Sequence, residues 1–128
     1  MRILVVNHIA TIEPNIGNIL DDHQVFLERN YENVKNVIGS QNIQLVVIDL
    51  DNNSLEGFNL IKTLRSSKEY KNLPIIIFTR KENLGDEKKG LELGADDYIR
   101  KPFHYATLRI RMDMYSRLIR LEKIKLEL

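Results

Sequence analysis

Cysteine is absent from the 128 residues. The chain can therefore form no disulfide framework, no thiolate metal site and no cysteine nucleophile. Long apolar runs are absent too, and none approaches the ~20 residues needed to span a bilayer. The amino terminus, Met1-Arg2-Ile3-Leu4-Val5-Val6, is interrupted by polar Asn7-His8, too early for a signal peptide. Net charge is nearly absent: 19 Lys and Arg face 18 Asp and Glu, which argues against a nucleic-acid or membrane surface. No glycine-rich turn follows the first apolar run, whose sequel is Asn7-His8-Ile9-Ala10-Thr11, so a dinucleotide or P-loop site is not expected. Ser54 lacks the flanking glycines of a nucleophile elbow. Internal repeats and low-complexity tracts are also missing. What remains is one cytoplasmic domain, long enough to bury a real core, with 43% apolar and 29% charged residues.

Charge is nonetheless uneven. Residues 100–128 carry eight basic and three acidic side chains, so a basic end follows a mildly acidic body. Along the chain, Ile3–Val6 reads as a short buried strand. Ile12, Ile16, Ile19 and Leu20 then mark a helix between Ile9 and Asp22, with Pro14 in its first turn. Gln24–Leu27 is a second strand. Tyr31, Val34, Val37 and Ile38 share a helical face, with Gly39 as its expected C-cap. After a strand ending at Asp49, Phe58, Leu60, Ile61 and Leu64 form another helical stripe. Ile75–Thr79 is a strand, a polar helix lies between Gly85 and Gly94, and Asp97–Arg100 is a brief strand. A turn through Lys101-Pro102-Phe103 leads into a long helix from about Tyr105. Strict β-α alternation with short connections implies an α/β, doubly wound sheet of five parallel strands with helices on both faces.

The central stretch is Leu45-Val46-Val47-Ile48-Asp49-Leu50-Asp51-Asn52-Asn53-Ser54-Leu55-Glu56-Gly57. Four apolar residues rich in β-branching read as a strand buried on both faces. Asp49 then stands at the carboxyl end of a central strand, where open α/β sheets place their sites. An aspartate there can equally be a turn former or helix cap. Four strands end in polar groups: Asn7-His8, Asp49, Thr79 and, just past the last, Lys101. In a parallel sheet all of these meet at one edge.

Gly90-Leu91-Glu92-Leu93-Gly94-Ala95-Asp96-Asp97-Tyr98-Ile99-Arg100-Lys101-Pro102-Phe103 closely resembles the end of a response-regulator receiver domain of two-component signalling. Leu45–Gly57 resembles the phosphoacceptor strand and loop of that family, and Pro74–Thr79 its fourth strand. The resemblance implies a flavodoxin-like (CheY-like) fold with strand order 2-1-3-4-5. It makes Asp49 the phosphoacceptor and Thr79 the hydroxyl that turns inward to the phosphoryl group. Lys101 becomes the pairing cation, ahead of a usually cis proline, and Tyr98 the aromatic whose rotamer follows Thr79. An acyl phosphate needs a cation and a hydroxyl donor at its oxygens, so the chemistry agrees. The implied protein is a cytoplasmic phosphoprotein and no enzyme beyond self-catalysed phosphotransfer onto Asp49. Its partners would be a histidine kinase or another signalling protein, with no direct nucleic-acid contact and no membrane.

The sequence also departs from the family. Its first strand usually ends in two acidic residues that serve Mg²⁺; here Asn7-His8 stand instead, and the remaining family ligands are the Asp49 carboxylate and the carbonyl of Asp51. Mg²⁺ wants hard, mostly anionic oxygens, so Asn7, His8 and Asp51 form a degenerate metal pocket and no resident metal or cofactor is expected. Phosphorylation should be slow or absent, making this an atypical, pseudo-receiver-like member. The alternative is a working phosphoacceptor receiver switched by a histidine kinase. His8 is a polar filler of the old metal pocket, or a ligand for a softer ion. Arg80 replaces the usual small residue after the switch hydroxyl. It is a solvated loop arginine or a cation reaching over the pocket towards Asp49 or Asp51. Asn52-Asn53 and Glu56 mark a reshaped loop.

The last helix carries two stripes. Met114, Leu118, Leu121, Lys125 and Leu128 follow a 4-3 spacing; Leu108, Met112, Tyr115, Ile119 and Leu126 form the second. One stripe suffices to cover a sheet face, so two suggest a homodimer contact or coiled coil, against the plainer reading of an amphipathic core helix. The expected division is a receiver domain over 1–120 and a helical extension over 121–128 leading to an output domain in a longer chain. The basic residues Arg109, Arg111, Arg117, Arg120, Lys123 and Lys125 read as a solvated face.

Overall fold

A computed structural model describes residues 1–6, 20–50, 54–80 and 82–127, without the side chains of 126 and 127. Five strands form one parallel sheet: β1 (Arg2–Val6), β2 (Gln24–Glu28), β3 (Leu45–Asp49), β4 (Ile75–Arg80) and β5 (Asp97–Lys101). Their order is β2-β1-β3-β4-β5, as the resemblance implied. Four α-helices lie among the described residues: α1 (Val34–Ser40), α2 (Ser54–Ser66), α3 (Leu84–Leu93) and α4 (Tyr105–Glu127). The expected helix between Ile9 and Asp22 falls, over residues 9–19, outside the described residues. No helix among the described residues is long and apolar enough to cross a membrane.

The three central strands are buried on both faces, which is why they read as unbroken apolar runs rather than alternating ones. Alternation along each strand splits the core in two. Leu4, Val46, Ile48, Ile75 and Ile77 face α1 and α2, against Val34, Ile38, Phe58, Ile61 and Leu64. Ile3, Val5, Leu45, Val47, Ile76 and Phe78 face the other way, against Leu108 and Met112 of α4. Each fully buried aliphatic side chain of this kind contributes about 1.5–3 kcal/mol.

Three local readings change. The helix expected from Tyr31 starts as a 3₁₀ turn, Tyr31–Asn33, capped by the Asn30 side chain, which accepts from the Glu32 amide at 3.0 Å. Gly39 is not a C-cap: it lies inside α1, whose end is Gln41, followed by Asn42 at φ 52°. Gly39 instead sits under Tyr70, whose hydroxyl lies 3.3 Å from where a Cβ would stand. Finally, α2 begins at Ser54, so Glu56, expected in a reshaped loop, lies in the first turn of the helix. Gly57 is required there because a Cβ would run into the Leu50 side chain beside the β3 edge.

Candidate functional site

Asp49 is the last residue of β3 and is 1% exposed. Its Oδ2 accepts a hydrogen bond from Lys101 Nζ at 2.6 Å. Lys101 ends β5 two strands away, and its ammonium also lies 5.9 Å from the Phe78 ring centre. The Lys101-Pro102 peptide bond is cis. Sheet register explains why this pair meets. Asp49 pairs with Phe78, and Phe78 with Ile99, two residues before Lys101. All four side chains therefore lean towards the α4 face. Phe78 and Phe103 close that side, with ring centres 5.1 Å apart. A carboxylate this buried is costly unless paired; Lys101 supplies the compensating charge.

Thr79 follows Phe78 and points to the opposite face. It is 1% exposed, and its hydroxyl donates to Glu87 Oε1 of α3 at 3.3 Å. Glu87 is itself buried and takes a second partner, Arg100 of β5, whose Nε donates to Glu87 Oε1 at 2.5 Å and whose Nη2 donates to Oε2 at 3.0 Å. That contact raises the Arg100 pKa above its ordinary value, chiefly through the hydrogen bond to Glu87. The Arg100 guanidinium lies 5.6 Å over the Tyr98 ring, which is half-buried against the α1–α3 side of the core. Thr79, Tyr98, Arg100 and Glu87 thus form one cluster. Asp49 and Lys101 form another across the sheet edge.

The acidic motif after Gly94 has its own structural work. Gly94 ends α3 at φ 123°, and a Cβ there would stand 2.7 Å from Arg65 Cγ. Arg65 Nε donates to the Gly94 carbonyl at 2.8 Å, and its Nη2 donates to Asp96 Oδ2 at 2.9 Å. Asp96 Oδ2 also accepts from the Ile75 amide at 2.8 Å, locking α2 and α3 to the start of β4. Asp97 Oδ2 accepts from Arg111 Nη1 at 2.7 Å and from the Tyr115 hydroxyl at 3.4 Å, tying β5 to α4. Arg111 is therefore a paired, half-buried residue rather than part of a solvated basic face.

Of the expected site residues, Asp49 and Lys101 are in contact, while Thr79 and Tyr98 sit across the sheet from them. Arg80 is the exposed last residue of β4, in register with Lys101. Asn7, His8 and Asp51 lie outside the described residues. Sequence reasoning passed over Glu87, Arg100 and Arg65. The available signal for Glu87 was an acidic residue one helical turn before Gly90 on a helix otherwise read as polar. Among the described residues no group of three His, Asp or Glu converges on a metal-sized site. A hollow of about 560 Å³ between α1 and α2 is lined by Arg29, Tyr31, Lys35, Asn59 and Thr63, among others, and includes neither Asp49 nor Thr79.

Comparison with known proteins bears on this geometry. The family model for the response regulator receiver domain matches residues 3–113. The chain is 34% identical over 119 residues to the two-component response regulator PhoP of Pseudomonas aeruginosa, covering 91% of this chain and 52% of that protein. It is 41% identical over 105 residues to the response regulator GtcR of Aneurinibacillus migulanus, covering 75% of this chain and 41% of that one. The chain spans about half the length of the curated relatives it matches. Among solved structures, the chemotaxis response regulator CheY4 of Vibrio cholerae superposes with a TM-score of 0.75 at 21% identity, over 89% of this chain and 97% of that one, which shows the fold.

Proposed function

Because the chain belongs to the response regulator receiver domains of two-component signalling, we propose that Asp49 is its phosphoacceptor and that its Mg²⁺-dependent phosphorylation is impaired. The observation that carries this reading is the buried Asp49–Lys101 pair at 2.6 Å. It puts a carboxylate nucleophile and a cation at the carboxyl edge of the sheet, where a phosphoryl group could be received. The family's metal fits this chain poorly. With Asn7-His8 in place of an acidic pair, Asp49 is the only charged side chain left of the family's ligand set, and it already serves Lys101. Lys101 neutralises part of the charge, and its ammonium would stay beside the transferred group. Thr79 would supply the hydroxyl donor, with Tyr98 following its position. Arg80, beside Lys101, is a candidate second cation.

In this reading the protein acts through protein–protein contacts and is not an enzyme beyond self-phosphorylation. A histidine kinase or another signalling protein stands upstream. Residues 121–127 continue the last helix, and an output domain would belong to a longer, cytoplasmic protein. The exposed apolar stripe of α4 (Met114, Leu118 and Leu121) supports a homodimer contact there, since Leu108, Met112 and Tyr115 already seat the helix on the sheet.

The test is labelling by a small-molecule phosphodonor with Mg²⁺. Wild type should label slowly, Asp49→Asn not at all, and Asn7→Asp/His8→Asp quickly. Prompt stoichiometric labelling of wild type overturns the impairment. Undiminished labelling of Asp49→Asn overturns the phosphoacceptor.

A further inference from the structure

Thr79 has one hydroxyl proton to give. In the structure it goes to Glu87 on the α3 face, away from the Asp49–Lys101 pair. Glu87 is well placed to keep it. The carboxylate is buried, so it needs donors; Arg100 reaches both oxygens, yet each can accept a second bond, and Thr79 shares Oε1 with Arg100 Nε. Arg100 is about half exposed and carries the ionic share of the contact; the hydroxyl reaches Glu87 from inside the protein.

We propose that Glu87 is a positioning residue that holds the Thr79 hydroxyl on the α3 face and so restrains it from serving a phosphoryl group on Asp49. This rests on the reading of Asp49 as phosphoacceptor. For Thr79 to serve that group, its proton must leave Glu87, and Glu87 is then left to Arg100 alone. The two acceptors compete for one donor. Occupancy of Asp49 and the state of the α3–β5 surface pair are therefore linked, and the linkage runs both ways. A partner that draws Arg100 away raises the demand of Glu87 for the hydroxyl. A phosphoryl group that takes the hydroxyl tightens Glu87 on Arg100.

Two measurements on the full chain test this. The first is the Thr79 side-chain rotamer, read from its methyl NMR signal and three-bond couplings with no phosphodonor present. Glu87→Leu should displace it, and Glu87→Gln, which keeps an acceptor oxygen, should preserve it. Glu87→Ala removes the carboxylate without added bulk and should match Glu87→Leu. The second is phosphodonor labelling in the Asn7→Asp/His8→Asp background. There Glu87→Leu should label about threefold to tenfold faster, the worth of one freed hydrogen-bond donor. An unmoved Thr79 signal in both Glu87→Leu and Glu87→Ala overturns the proposal. A displaced signal with an unchanged labelling rate overturns it as well. Absence of label from every protein, the restored background included, instead overturns the phosphoacceptor reading, and the Thr79 signal alone then decides whether Glu87 holds the hydroxyl.

Discussion

Arg100 and Lys101 follow one another in β5, yet each serves a different carboxylate on a different face of the sheet. Lys101, with 10% of its side chain exposed, reaches the wholly buried Asp49 on the α4 side. Arg100, 48% exposed, reaches Glu87 on the α3 side. The same alternation sorts the rest of the strand: Asp97 and Ile99 go with Lys101, and Tyr98 goes with Arg100. One strand thus feeds two networks, and a one-residue slip in its register would exchange them. The difference lies in solvent. The Asp49 pair is sealed from water at both ends. The Glu87 pair has one wet end, so its cation can be bid for from outside.

The sharpest way to break this contrast is to remove each cation in turn. Lys101→Met takes the ammonium 2.6 Å away from the buried Asp49 carboxylate and should cost about 3–5 kcal/mol at neutral pH, read from urea unfolding. Adding Asp49→Asn to it should restore most of that loss, because the buried charge rather than the missing contact is the main penalty. Recovery of less than half would place the cost in packing around Phe78 instead. Arg100→Gln should lower stability less than Lys101→Met, because Arg100 stands half in water. Its effect should also shrink as salt rises towards 1 M, where surface charges are screened within about 3 Å, while that of Lys101→Met should persist. Equal salt sensitivity for both variants would erase the distinction between the sealed and the open pair.

Much of this was legible in the sequence. Unbroken apolar runs in β1, β3 and β4 identified central strands, and polar residues at their carboxyl ends identified the edge where Asp49 and Lys101 meet. The Gly94-Ala95-Asp96-Asp97 run was legible as a motif, though not as the mesh of Arg65, Ile75, Arg111 and Tyr115 that explains it. Those bonds join residues far apart in the chain, and only the packed fold brings them together. Thr79 was placed on the right strand, but its company was not foreseen. Which face a strand residue uses follows from parity, and parity sets it beside α3, whose Glu87 looked like any other charge on a polar helix. Gly39 misled for a similar reason: a glycine at a helix end signals a cap, whereas here it clears the way for Tyr70. In α4 the two apolar stripes were visible, and only packing could say that Leu108 and Met112 are buried while Met114, Leu118 and Leu121 face out.

A third pair on β5 refines the comparison and carries the smallest effect. Asp97 and Arg111 sit on the same face as Lys101 but nearer the solvent, and Tyr115 leans on them with its hydroxyl 3.4 Å from Asp97 Oδ2. Burial pushes the Tyr115 pKa up to about 12, and the neighbouring Asp97 carboxylate adds to the rise. The folded chain therefore keeps a proton that the unfolded chain gives up near pH 10. The contribution is fully present below about pH 10 and is lost as pH rises towards 12, because there the unfolded state binds fewer protons. Tyr115→Phe has no such proton. At pH 7 it should lose about 0.5 kcal/mol or less, since a bond that long contributes little. Between pH 10 and 12 the stability of wild type should fall more steeply than that of the variant, so the gap between them closes or reverses. Parallel pH profiles in paired urea titrations would mean that burial and the Asp97 carboxylate leave the Tyr115 hydroxyl unperturbed in the folded chain.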